Sequence, residues 1–200
     1  MRRLSPLTVF FLSAVGWIVV ATAAWSWVAP YTSHPVAVLT HMALEAGAPD
    51  WIRTVHKSPG MIEVETRLQI SVPGAARGVV GEVIVDATPA RYSYGLPIFL
   101  ALLLASRSTK MLRCAVVGYA ALLPAQAFSL TFDLLKQIMV ATQGNLATLG
   151  VARWQLEGIV FCYQLGALVL PTLVPIMLWL WLNYDFFIRT VATSRRSQTG

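Results

Sequence analysis

At 200 residues the chain is long enough for one ordinary domain, but 56% hydrophobic and 12% charged residues, with a mean hydropathy of +0.64, exclude the usual water-soluble class. A formal charge of +6 would suit nucleic acid, yet no stretch interleaves a basic run with aromatics. The basic residues flank apolar runs instead, so the expected partner is the lipid bilayer and not nucleic acid.

Four apolar runs with few charges lie at residues 7–28, 92–106, 111–132 and 158–183, and crossing the hydrocarbon takes about 20 such residues. The first run follows Arg2 and Arg3 and is read as a transmembrane helix within residues 1–29. Ala21-Thr22-Ala23 resembles a signal-peptide cleavage site. Against cleavage, the apolar run is longer than a secretory core of about 7–15 residues, and Trp25 and Trp27 sit where an interfacial aromatic belt holds a retained anchor.

Residues 30–91 mix polar and apolar side chains and are expected to form a small α+β domain. Val36, Leu39, Ala43 and Leu44 recur near helical spacing, with Gly47 in the position of a helix-ending glycine, so residues 35–46 read as a short surface helix. Residues 48–60 read as a loop. From Met61 to Val72 the pattern alternates, with Ile62, Val64, Leu68, Ile70 and Val72 on one side, which implies a half-buried strand. Pro73-Gly74 and Arg77-Gly78 bound a turn, and residues 79–86 read as the second strand of a β-hairpin.

The second span has a short apolar core, residues 96–105, led in by Arg91-Tyr92-Ser93-Tyr94-Gly95. A cytoplasmic loop near 106–113 follows. The third span continues without a breaker through residues 133–141, and residues 142–145 end it; an outer segment runs near 134–157. The fourth span contains Pro171 and Pro175, each of which removes a backbone donor. Residues 184–200 form a basic tail.

Charge sets the orientation. With the N-terminus in the cytoplasm, the inner pieces hold eight basic residues and one acid, Asp185, whereas the outer pieces hold seven basic residues and eight acids. Loops rich in Lys and Arg stay cytoplasmic. The expected fold class is therefore a membrane all-α bundle of about four transmembrane helices, both termini inside, with an extracytoplasmic short helix and β-hairpin between the first two spans.

Polar residues at membrane depth are costly and often functional. Gln126, Ser129, Asp133 and Lys136 or Gln137 recur every three or four residues along the third helix and so share one face. Asp133 and Lys136, three apart, are placed to pair. One reading has this stripe holding helices together. Another adds Glu157, Tyr163 and Gln164 from the start of the fourth span and Arg91 from the start of the second, making a polar pocket at the outer leaflet.

No catalytic residue, cofactor site or metal site is assigned. His34, His41 and His56 lack ligand spacing, and no cysteine lies near them. Cys114 and Cys162 lie inside apolar runs with no CxxC motif and no histidine one turn away. No GxSxG, SxxK or phosphate-cradling loop occurs.

Tyr92-Ser93-Tyr94-Gly95-Leu96-Pro97, then Phe132-Asp133-Leu134-Leu135-Lys136-Gln137, then Tyr163-Gln164-Leu165-Gly166 with Leu170-Pro171-Thr172, in this order and spacing, resemble the exosortase H-associated membrane proteins of Gram-negative bacteria. The resemblance implies a multi-pass protein of the bacterial inner membrane that partners an exosortase, a multi-span cysteine transpeptidase-like enzyme acting on proteins with a C-terminal sorting signal. An exosortase itself would carry a Cys, Arg and His arrangement that this chain lacks. The expected function is thus a non-catalytic accessory that binds the sorting enzyme or its membrane-anchored substrate. The competing readings are an enzyme using Asp133, Lys136 and Glu157, and a small subunit of an export or transport complex.

Overall fold

A computed structural model describes residues 6–71, 80–107, 110–143 and 146–188. In chain order the elements are α1 (Pro6–Thr32), α2 (His34–Gly47), β1 (Ile52–Ser58), β2 (Met61–Ser71), β3 (Val80–Ala87), a 3₁₀ turn (Pro89–Tyr92), α3 (Gly95–Ala105), α4 (Met111–Ala141), α5 (Leu146–Leu149), α6 (Arg153–Gln164), a π turn (Leu165–Val169) and α7 (Leu170–Leu182). Among the described residues three helices are long and apolar enough to cross a membrane, Leu7–Thr32, Met111–Ala141 and Arg153–Leu182. The expected second span forms the 11-residue α3. At 1.5 Å per residue that helix rises about 16 Å, roughly half of a 30 Å hydrocarbon layer.

The described residues fall into two compact units. The first comprises those within 1–28, 94–122 and 172–200. Its core gathers Leu96, Phe99, Leu103, Leu122 and Trp179. Phe99 is fully buried, and its ring occupies the space that a side chain on Gly118 would need. Phe10 stacks on Trp179 at 5.3 Å, with Phe186 5.7 Å from Phe10. Only 6% of the most apolar stretch of Leu7–Thr32 is buried, so α1 shows most of its circumference to the surroundings.

The second unit comprises the described residues of 29–93 and 123–171. Here α2 begins at His34, one residue before the expected start, with Pro35 in its first turn, where a missing N–H costs nothing. It runs through Gly47 and is capped at Ala48, one residue later than expected. Val36 and Leu44 from α2, Ile62 and Val64 from β2, and Leu130, Leu134 and Ile138 from α4 are buried in one core. Trp51 joins it, and its indole donates to the Leu149 carbonyl at 2.8 Å.

The sheet has three antiparallel strands in the order β1-β2-β3, not the two of the expected hairpin. The region expected to be a loop, 48–60, contains β1. That strand escapes a search for alternation because it is an edge whose residues after Ile52 are mostly exposed. Backbone pairing with β2 holds it, for example Val55↔Val64 and His56↔Glu63. Pro59 and Gly60 turn the chain between them, Gly60 at φ +81°, which suits a residue without a Cβ.

Strand β2 follows the expected alternation, burying Ile62, Val64 and Leu68. Its pairing with β3 shifts between Glu65 and Gln69. Buried Thr66 bridges that break by donating to the Val83 carbonyl at 2.8 Å. The expected turn at 73–78 lies outside the described residues.

Helix α4 runs unbroken to Ala141 as expected, despite Pro124. The helical stretch from Arg153 to Leu182 departs from a plain α-helix at one place. At the π turn the Leu170 N–H bonds the Leu165 carbonyl, five residues back.

Candidate functional site

The polar stripe of α4 begins with Gln126 and Ser129, both buried. The Ser93 hydroxyl, just after the 3₁₀ turn, lies 3.1 Å from the Pro89 carbonyl and 3.3 Å from Gln126 Oε1. Gln126 Nε2 is buried without a hydrogen-bond partner.

Ser129 answers a gap in the next helix. In an α-helix the Gly166 carbonyl would accept the Leu170 N–H, but that donor goes to Leu165. In the π register the donor would come from residue 171, and that residue is proline, which has no N–H. The Ser129 hydroxyl supplies the missing bond, 2.7 Å from the Gly166 oxygen, while also lying 2.9 Å from the Ala125 carbonyl. The approach is close enough that a Cβ on Gly166 would stand 2.9 Å from Ser129 Cα.

One turn along, Asp133 is 4% exposed and accepts a hydrogen bond from Gln137 Nε2 at 3.2 Å. The Tyr92 phenol neighbours the same carboxylate. Burial raises the Tyr92 phenol well above its usual pKa, and the neighbouring Asp133 and Tyr163 push the same way while Arg91 opposes them.

The expected Asp133–Lys136 ion pair is not among those formed by the described residues. Asp133 turns into the core toward Tyr92 and Gln137. Lys136 Nζ instead lies 4.2 Å above the centre of the Tyr163 ring, a cation–π contact that ties α4 to α6.

The remaining candidates separate. Glu157 is 71% exposed at its side chain and pairs with Arg153 at 3.3 Å. It lines an open cleft of about 470 Å³ with Gln164, Met139 and Phe161. Thus Asp133, Gln137 and Tyr92 gather in one place that Arg91 and Tyr163 reach by charge, Tyr163 also carries the contact with Lys136, and Gln126 and Ser129 each join a different neighbour. Glu157 and Gln164 line the open cleft.

The sequence does not by itself reveal Tyr92 as a neighbour of Asp133, Ser93 as a partner of Gln126 or Gly166 as an acceptor. A glycine five residues before a proline in an apolar helix was the available signal for Gly166. Among the described residues no three His, Cys, Asp or Glu side chains are grouped to hold one metal ion. His41 lies 2.9 Å from Glu45 and 3.0 Å from Lys57, and His56 lies 3.5 Å from Glu65.

A family model described as exosortase H-associated membrane protein matches residues 4–186. No curated protein and no solved structure matches the chain. The chain belongs to the exosortase H-associated membrane protein family.

Proposed function

We propose that this family member is a non-catalytic accessory of an exosortase-type sorting system, which binds the sorting enzyme or its membrane-anchored substrate inside the bilayer. The observation that carries this reading is the extent of the family match, residues 4–186, which takes in all three long apolar helices and the sheet. The association named in the family description supports this reading over nearly the whole chain. The exposed apolar faces support it, with Phe11, Leu12, Val19 and Trp27 on α1 and Phe161 and Leu168 on the helical stretch from Arg153 to Leu182 all open to lipid or to a partner helix.

The arrangement of the polar residues also favours an accessory over an enzyme. An enzymatic reading needs Asp133, Lys136 and Glu157 to face one substrate. Asp133 is instead held by Gln137 beside Tyr92, Lys136 by Tyr163, and Glu157 by Arg153.

The charge split further supports both termini in the cytoplasm of a bacterial inner membrane, with residues 30–91 outside. That topology needs a second crossing at residues 92–106, of which α3 covers about half the thickness of the layer.

Co-expression with the exosortase of the same cell tests the reading. In mild detergent the tagged chain should retain the exosortase, and retention should survive Asp133→Asn if the network only supports the fold. A chain that purifies alone under every mild condition, while sorting still needs it, sinks the accessory reading.

A further inference from the structure

A cavity of about 760 Å³ lies within the second unit, walled by the last turn of α2, Leu68 of β2, the middle of α4 and residues 148–159. Small-molecule sites commonly measure roughly 300–1,000 Å³. Most of the wall is apolar, formed by Leu44, Leu68, Phe132, Leu135 and Ile159.

Thr131 is the informative exception. It lines the cavity, it is 7% exposed, and its hydroxyl has no hydrogen-bond partner. A threonine inside a helix often bonds the carbonyl four residues back. That carbonyl, on Ala127, instead accepts the Thr40 hydroxyl at 3.4 Å. Buried hydroxyls are nearly always satisfied, so an unpaired one on a cavity wall marks where a ligand atom belongs.

The charges narrow the ligand. Asp50, exposed at the C-terminal side of α2, is the one formally charged residue among the described lining residues, and no lysine or arginine accompanies it. A phosphate or carboxylate entering this space would lose its hydration without gaining a cation. An uncharged polar group would meet the Thr131 hydroxyl.

We propose that this cavity binds an uncharged amphiphile, a single apolar chain bearing a hydroxyl, ester or amide group that Thr131 engages. A photo-cross-linking pair tests it with the full chain in lipid nanodiscs. One probe is a monoacylglycerol with a diazirine in its chain, and the other is the free fatty acid of the same chain. Labelled peptides are mapped by mass spectrometry.

The monoacylglycerol should label residues 132–135 more strongly than the fatty acid does. Gly47 lines the cavity and has open space where its side chain would be, so Gly47→Trp should block entry and abolish the labelling. Thr131→Val should reduce labelling by about threefold to tenfold, the loss expected of one neutral hydrogen bond. Thr131→Ser keeps the hydroxyl and should label like the parent, which separates the bond from general damage to the helix. Equal labelling by both probes, labelling that persists in Gly47→Trp, or equal loss in the Ser and Val variants overturns the proposal.

Discussion

The hydroxyl of Ser129 stands 2.7 Å from the carbonyl oxygen of Gly166, an acceptor left open by the π turn and by the proline five residues later. The bond makes one helix complete the backbone hydrogen bonding of another. In hydrocarbon there is no water to take over that role, so a proline in a spanning helix depends on such a neighbour.

Ser129→Ala should therefore destabilise the chain by about 1–3 kcal/mol, the cost of leaving a buried carbonyl unsatisfied. Thermal unfolding in detergent measures it. Gly166→Ala should cost more than Ser129→Ala, because the new methyl meets Ser129 Cα at 2.9 Å and backbone cannot step aside as a side-chain tip can.

Pro171→Ala restores a backbone donor within reach of the Gly166 carbonyl. In that background Ser129→Ala should cost less than it does alone, giving a coupling of about 0.5–3 kcal/mol in a double-mutant cycle. Strict additivity of the two changes would show that proline does not set the demand for Ser129.

Tyr92 provides a pH signature. Its phenol is held above its unfolded value by burial and by Asp133, so the folded state binds that proton more tightly than the unfolded state. The resulting stability is fully present below about pH 10, the ordinary tyrosine value, and is lost as pH rises through the higher folded value. Tyr92→Phe should flatten this alkaline loss while lowering stability at neutral pH, because the buried Asp133 carboxylate loses a polar neighbour. Unfolding followed from pH 8 upward checks both parts.

Lys136 and Tyr163 should behave as a cation–π pair. Tyr163→Phe should be nearly neutral, whereas Tyr163→Leu and Lys136→Met should each cost about 0.5–2 kcal/mol. A cycle between the two positions should show that their effects are not additive.

The parts of the fold that were legible in the sequence are those where one face is buried and the other is not. Strand β2 shows it in the alternation of Ile62, Val64 and Leu68, and α2 in Val36 and Leu44, all of them buried. Strand β1 was not legible because an edge is specified by its neighbour's backbone, which leaves no apolar rhythm in Arg53, Thr54, His56 and Lys57. The shortness of α3 was legible as well, since the apolar core at residues 96–105 matches the helix at Gly95–Ala105 to within one residue. At the site, the spacing of Gln126, Ser129 and Asp133 identified one buried face of α4. Their partners could not be read, because side chains near in sequence compete with side chains brought in by packing. Asp133 and Lys136 are three residues apart, yet Asp133 bonds Gln137 beside Tyr92 and Lys136 lies over Tyr163 from another helix.

The bareness of α1 separates two properties that usually go together. With so little of its surface against the rest of the chain, its residence in a bilayer is decided by composition, through transfer from water to hydrocarbon. Its rotation and its attachment are decided by a few side chains, Phe10 against Trp179 and Phe186, with Trp25 on the same core and Ala14 buried. Exchanging α1 for an unrelated apolar helix would keep the protein inserted while releasing that anchor, as insertion and helix association are distinct stages of membrane folding.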